Sequence, residues 1–217
     1  MVNGGKAGIN FKQTGNSVQF LGELTNQTAT IRCFVFIQFH FLDQNNTRIG
    51  TLPTAGVNGS TYTLLSGLEE HTCLDPQETG SFETPGAAIP LGFADFDFIL
   101  RDDNPPLRQP DVQLEIAGAS EAPDGQGHAV FTGLIQNNTP SGSLHTLAYD
   151  IKVMFTYLDG PIGQGKVIGT ESFPMGHPCV IDNQGRNFCL GQGESTPINV
   201  STNTCAGCYY YEINHSE

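Results

Sequence analysis

The sequence predicts an all-β chain made of two tandem copies of one antiparallel β-sandwich domain. Apolar residues come in short alternating runs, and the chain has 26 Gly and 13 Pro but no Trp. This composition is typical of strands joined by turns. The 217 residues can form two domains of about 100 residues, each with its own core. The third observation is an internal repeat.

The repeat begins with a strand that runs into an Asn-rich turn, at residues 20–26 and again at 131–137. A long alternating strand follows, at residues 31–43 and 147–159. In the second copy, polar Asp150, Lys152 and Thr156 are expected to lie on the solvent face. The opposite face is predicted to carry Leu147, Tyr149, Ile151, Val153, Phe155 and Tyr157.

Both copies then continue through Ile-Gly-Thr, at residues 49–51 and 168–170, which reads as the second strand of a hairpin. A Cys-Leu turn and a closing strand complete the repeat, at residues 73–82 and 189–198. The order and spacing of these segments predict two antiparallel sheets in each copy.

This order of segments resembles the FxLYD-type immunoglobulin-like domains of prokaryotic extracellular proteins. The resemblance covers roughly residues 8–84 and 113–201, and its signature segments are residues 39–43 and 155–159. Both segments exchange the Leu and aromatic positions of the family name. The resemblance implies immunoglobulin-like sandwiches on a cell surface, with no common enzymatic activity.

A proline-rich segment at residues 102–110 is the predicted linker. We therefore predict domains at residues 1–107 and 108–217, the second with a Cys/Tyr-rich C-terminal strand. The alternating segment 93–100 is expected to add an edge strand to the first sandwich or to bridge to the second.

The net charge is −13, and both halves of the chain are acidic. Nine scattered Lys and Arg cannot form the basic stripe that neutralises phosphates, which argues against nucleic acid or an anionic membrane as a partner. No apolar run approaches the roughly 20 residues of a membrane-spanning helix, so no membrane span is expected.

Six cysteines suggest disulfide bonds. The repeat aligns Cys73 with Cys189 but Cys33 with Tyr149, which favours a Cys33–Cys73 bond in the first copy. Cys179 would then pair with Cys189 across a hairpin with a turn at residues 182–185, leaving Cys205 with Cys208. Other connectivities stay open, and so does a zinc site formed by the last four cysteines: Cys179, Cys189, Cys205 and Cys208.

Six Asn-x-Ser/Thr sequons also favour an extracellular or cell-surface location. The candidate glycosylation sites are Asn26, Asn45, Asn58, Asn137, Asn199 and Asn214.

The C-terminal segment 208–214 is expected to have no counterpart after the closing strand of the first copy. It is either the last strand of the second copy or a strand that adds to a neighbouring subunit. The candidate subunit contacts are Tyr209, Tyr210, Tyr211 and Ile213.

No catalytic motif is present, and no cofactor or metal site is expected. Carboxylates such as Asp95, Asp97, Asp102 and Asp103 do not form a complete calcium loop. The sequence therefore predicts a non-enzymatic structural protein that self-associates into a homopolymer, as in a surface filament, or contacts another surface protein. The alternative is a monomeric adhesive or ligand-binding module for a glycan or a protein.

Overall fold

The computed structural model describes residues 1–2, 4–64, 70–103, 107–108, 111–162, 165–179 and 188–216. These residues form antiparallel β-strands and one 3₁₀ turn at Gly5–Gly8, and they contain no α-helix. The all-β prediction is confirmed. The strands are β1 Asn10–Thr14, β2 Ser17–Thr25, β3 Arg32–Leu42, β4 Arg48–Thr51, β5 Ala55–Gly56, β6 Ser60–Leu64, β7 Glu70–Leu74, β8 Thr79–Glu83, β9 Ala87–Ala88, β10 Asp95–Asp103, β11 Leu107–Arg108, β12 Leu114–Pro123, β13 Ala129–Asn137, β14 Ala148–Leu158, β15 Val167–Pro174, β16 His177–Pro178, β17 Phe188–Leu190, β18 Ser195–Ser201 and β19 Tyr209–Ser216.

The chain divides into two compact units. The first unit comprises Met1–Ser60, His71–Pro105 and Lys166–Gly169. The second comprises Thr61–Glu70, Pro106–Gly165 and Thr170–Glu217. Each unit is described by itself below.

The core of the first unit is aromatic. One sheet has the order β1-β2-β8, with β9 also on β2, and another contains β10-β3-β7, with β4 and β5 also on β3. Phe20 of β2 and Phe39 of β3 are fully buried, and their rings stack with centroids 4.3 Å apart. Burying each ring contributes about 2 kcal/mol, so this stack joins the faces of the two sheets.

The second unit has sheets β12-β13-β18 and β15-β14-β17-β16, with β19 also on β14. Phe131 of β13 and Phe155 of β14 pack edge to face, with centroids 5.3 Å apart. They occupy the positions that the repeat assigns to Phe20 and Phe39.

The central strands β3 and β14 pair with β7 and β17 in corresponding registers. Arg32 and Cys33 of β3 pair with Leu74 and Cys73 of β7. Ala148 and Tyr149 of β14 pair with Leu190 and Cys189 of β17 in the same register. The residues aligned from the sequence therefore occupy corresponding positions in these pairings.

One part of the predicted alternation in β14 is wrong. Ala148 is fully buried, whereas Leu147 and Tyr149 are only partly buried, and Thr156 is 1% exposed rather than on a solvent face. Asp150, whose φ of 47° interrupts the alternation, accounts for the difference at residues 147–149, whereas the burial of Thr156 lies beyond that interruption. Phe34, the corresponding residue of β3, has a φ of 50°.

The alternating segment before the predicted linker forms β10, which pairs with β3 as an edge strand. Residues 107–108 of the linker form the short strand β11, paired with β6. The rest of the proline-rich linker is only partly within the described residues, because 104–106 and 109–110 lie outside them.

Candidate functional site

An asparagine clasp, formed by Asn26 and its partners, closes the end of β2 in the first unit. Nδ2 of Asn26 donates to the backbone oxygens of Thr30 and Leu74, each at 2.8 Å. Its Oδ1 accepts from the backbone N and the hydroxyl of Thr28, at 3.0 and 2.7 Å. The residue is 4% exposed, so leaving these groups unpaired would cost about 1–3 kcal/mol each.

The second unit contains the same clasp at Asn137. Its Nδ2 donates to the backbone oxygens of Thr146 at 3.1 Å and Leu190 at 2.8 Å. Its Oδ1 accepts from the backbone N of Thr139 at 3.1 Å and also from the Thr139 hydroxyl. Asn137 is 1% exposed. The Asn-x-Thr pattern at these two places therefore encodes a turn.

The clasps involve the side-chain nitrogens of two candidate glycosylation sites. A glycan is attached through Nδ2, and in Asn26 and Asn137 this atom is buried and donates to two carbonyls. The clasp as described therefore requires an unmodified Nδ2 at both asparagines.

The other four sequons are more accessible. Asn45 and Asn199 are exposed. Asn58 and Asn214 are half-buried, and their Nδ2 atoms donate to Oγ of Ser81 at 3.1 Å and Sδ of Met154 at 2.8 Å. Of these four, only Asn45 and Asn199 leave Nδ2 unobstructed for the attachment of a glycan.

All six cysteines are paired. The disulfides are Cys33–Cys73, Cys179–Cys189 and Cys205–Cys208. These are the pairings that the repeat favours, and they leave no thiolate for the zinc alternative. The predicted turn at 182–185 lies outside the described residues.

The tyrosine-rich tail forms β19, which pairs antiparallel with β14 of the same chain. Tyr211 lies opposite Phe155, just as Phe98 of β10 lies opposite Phe39. The tail therefore corresponds to β10, and the prediction that it has no counterpart in the first copy is wrong. Of the four candidate contacts, Tyr209 is 5% exposed, Tyr211 is 38% exposed, and Tyr210 and Ile213 are half-buried.

Two tyrosines of the second unit have altered acidity. Burial raises the pKa of Tyr157 well above its usual range, and the Glu171 carboxylate, which accepts a hydrogen bond from the Tyr157 hydroxyl at 2.7 Å, adds to the effect. Burial also raises the pKa of Tyr209, with a smaller contribution from the charge of Glu121. Unlike their phenylalanine counterparts in the first unit, these residues can titrate.

Strand β10 forms an edge of its sheet. It pairs with β3 on one side, and within the described part of the chain no strand pairs with its other side. Ile99 and Leu100 are 38% and 40% exposed on this strand. Its charged residues are Asp95, Asp97, Arg101, Asp102 and Asp103.

A cleft of about 420 Å³ lies in the first unit beside the asparagine clasp. Its wall includes residues 25–28 at the end of β2 and the start of the following loop. No local pattern in the sequence marks the cleft, because its wall comes from several separate strands. Its apolar surface includes Leu24, Val35, Leu74 and Leu100, and its charged lining residues are Arg32, Arg101 and Asp102.

Among the residues that the structure describes, no group of three or more His, Cys, Asp or Glu side chains could hold a metal ion. Within the same residues, no helix is long and apolar enough to span a membrane.

These features define an all-β, disulfide-bonded protein of two compact units. No protein-family model matches the chain, and no curated protein matches it at a significant level.

Proposed function

We propose that each unit is an immunoglobulin-like β-sandwich and that the chain is a non-enzymatic extracellular protein, a subunit of a filament or other self-assembling surface structure. Three disulfides support an oxidising compartment. The repeated strand pairings support the tandem arrangement.

The observation that carries the assembly proposal is the edge strand β10. An edge strand offers backbone donors and acceptors to another chain, and β10 is nine residues long. Its two partly exposed aliphatic side chains, Ile99 and Leu100, add apolar surface to such a contact.

The sequence of β10 suits pairing with β10 of a second copy. In an antiparallel pair centred on Ile99, Asp97 of each strand would face Arg101 of the other, and Phe98 would face Leu100. Opposite charges and apolar pairs at facing positions stabilise strand pairing. This contact would be two-fold symmetric, so a filament requires a second contact, for which exposed Tyr211 of β19 is our candidate.

Assembly is tested by measuring molar mass with light scattering after size-exclusion chromatography, together with negative-stain microscopy. We expect association at about 0.15 M salt to exceed that at about 0.01 M, since salt screens repulsion between acidic copies. Ile99→Lys should reduce association because it places two cations at the centre of the paired strands.

The matched control is Leu91→Lys, which replaces a fully exposed leucine outside β10 and should leave association unchanged. A wild-type chain that stays monomeric at high concentration in both salts contradicts the assembly proposal. Equal effects of the two substitutions would contradict the role of β10.

The second candidate function is a monomeric adhesive or ligand-binding surface module. The cleft of the first unit favours it, because a concave apolar surface with a few charged groups is typical of binding sites. A monomeric chain that binds a peptide or a glycan would support this function over assembly.

A further inference from the structure

The Cys205–Cys208 disulfide of the second unit differs from the other two disulfides in its accessibility. Of the six cysteines, all of which lie in described segments, Cys205 is the only exposed one, and Cys208 is half-buried. In contrast, Cys33 and Cys73 are 0% exposed and Cys189 is 5% exposed. Thiol–disulfide exchange requires a thiolate to reach a sulfur atom, so accessibility favours attack at Cys205.

This bond also closes the shortest loop of the three. Cys205 and Cys208 are 3 positions apart, whereas the other two bonds join residues 10 and 40 positions apart. Both cysteines lie in the turn between β18 and β19, outside any strand. Because a short loop gains little entropy when it is opened, the fold loses the least stability when this bond is broken.

Hydrogen bonds other than the disulfide hold both ends of this turn. The backbone oxygen of Thr204 accepts from the backbone N of Ala129 at 3.1 Å, and the backbone oxygen of Cys208 accepts from the backbone N of Leu158 at 2.8 Å. The next residue, Tyr209, is 5% exposed and anchors the start of β19. The two sulfurs therefore stay near each other after their bond is opened, which allows it to form again.

A carboxylate lies beside the ring that the disulfide closes. Oε1 of Glu121 accepts from the backbone N of Gly207 at 3.2 Å, and Gly207 lies between the two cysteines. The whole chain has a net charge of −13. These negative charges repel an approaching thiolate, and they repel a thiolate with a second negative charge more strongly. The surroundings of the disulfide therefore discriminate between thiols by charge.

We propose that Cys205–Cys208 is a thiol–disulfide exchange site of the folded chain, and that its co-reactant is a low-molecular-weight thiol without an acidic group. The thiolate attacks Sγ of Cys205 and forms a mixed disulfide, and the electron pair of the broken S–S bond stays on Sγ of Cys208. Attack by Cys208 on Cys205 then restores the original bond and releases the thiol.

The mixed disulfide has a second fate. A second external thiolate attacks the external sulfur, which gives a disulfide of the two small thiols and two reduced cysteines. The external thiol is therefore the reductant, and it is oxidised as the protein is reduced. This exchange does not depend on assembly through β10, so it is tested on the full chain at a concentration where the chain is monomeric.

The first experiment compares the three disulfides of the native chain. Dithiothreitol is added without denaturant, and free thiols are trapped at intervals with N-ethylmaleimide and mapped by mass spectrometry. We expect Cys205 and Cys208 to be labelled at least tenfold faster than the other four cysteines, with an unchanged far-ultraviolet circular dichroism spectrum. Equal labelling of Cys179 and Cys189, or loss of the β-sheet signal during this first reduction, would overturn the proposal.

Two single substitutions test which sulfur is attacked. Cys208→Ser leaves the exposed thiol of Cys205, and Cys205→Ser leaves the half-buried thiol of Cys208. The first variant should react with the neutral reagent 4,4′-dithiodipyridine at least fivefold faster than the second, because thiol reactivity follows accessibility. If the Cys205→Ser variant reacts as fast as the Cys208→Ser variant, Cys205 is not the point of attack.

Two carboxylate substitutions test the selectivity for charge. Reduction by cysteamine, per thiolate, should be at least threefold faster than reduction by mercaptoacetate at about 0.01 M salt. Glu121→Gln should lower this ratio at least twofold. Glu115→Gln removes the same charge from the other half of β12 and should leave the ratio unchanged. Equal ratios in the two variants would contradict the role of Glu121 in selecting the thiol.

Discussion

The central strand of the first unit is covalently tied to its neighbour, whereas that of the second unit is not. Cys33 of β3 is bonded to Cys73 of β7 across 40 residues. In the second unit, Tyr149 stands at the place of Cys33, and Cys189 is bonded instead to Cys179, 10 residues away. Both units nevertheless have the same strand register and the same asparagine clasp.

The β14–β17 pairing has the register of β3–β7 without a disulfide between the two strands. The features common to both are the clasp, the paired phenylalanines of the core and the positive φ of Phe34 and Asp150. Buried hydrogen bonding and core packing are therefore common to both units, whereas the Cys33–Cys73 cross-link is found in the first alone.

The largest expected effect is the loss of the disulfide in the first unit. Replacing Cys33 and Cys73 together by Ala should destabilise the first unit by about 4 kcal/mol, because the bond restricts a 40-residue loop of the unfolded chain. Replacing Cys179 and Cys189 by Ala should lower the free energy of unfolding by about 2.7 kcal/mol, and replacing Cys205 and Cys208 by about 1.6 kcal/mol, because these bonds close shorter loops.

The measurement is native-state hydrogen exchange in urea, which follows the amides of each unit separately. Near-ultraviolet circular dichroism of tyrosine is a second probe, since all six tyrosines lie in segments of the second unit. Equal destabilisation by all three double substitutions would show that loop length does not govern the difference between the units.

The next largest effect concerns the asparagine clasp, which both units contain. Asn26→Asp and Asn137→Asp should each destabilise their own unit by about 3 kcal/mol, because Asp cannot donate to the two buried carbonyls. Urea unfolding of both variants is the measurement. If the two substitutions lower the free energy of unfolding by clearly different amounts, the two clasps are not energetically equivalent.

The control is Asn45→Asp, a sequon substitution at an exposed turn, which should change the stability by less than about 0.5 kcal/mol.

The smallest expected effect is a difference between the units in how stability depends on pH. Tyr157 and Tyr209 lie opposite each other in the second unit, where the first unit has Phe41 and Phe96. Their pKa values are higher in the folded than in the unfolded chain, so the folded state holds more protons above about pH 10. The second unit should keep its full stability below that pH and lose stability as the pH rises further.

Tyr157→Phe should reduce this alkaline loss while costing about 1 kcal/mol at neutral pH, through the lost hydrogen bond to Glu171. Urea midpoints between pH 8 and 11 test both statements. If the urea midpoint of the variant falls with rising pH as steeply as that of the wild type, Tyr157 is not the residue responsible for the alkaline loss.

The repeat was predictable from the sequence because strand alternation and turn residues are local signals. It aligned Cys73 with Cys189 and Leu74 with Leu190, and the structure places both pairs at corresponding positions. The match between β10 and β19 was not predictable, because Phe98 and Tyr211 correspond only through their pairing with distant strands.

The sequons illustrate a second limit. Asn26 and Asn45 have the same local pattern, yet one is 4% exposed and the other is exposed. The difference depends on Leu74, whose carbonyl reaches Asn26 from 48 positions away. A tripeptide pattern contains no information on such a contact, and the cleft was missed for the same reason.

The asparagine clasp has a consequence for how the protein can be made. A cell that transfers glycans to sequons while a chain is still unfolded would modify Asn26 and Asn137 before their Nδ2 atoms could reach Leu74 and Leu190. Each modified chain would then be unable to close its clasp. We therefore expect correct biosynthesis in hosts without early sequon glycosylation, and low yields of misfolded, glycosylated material from eukaryotic secretion.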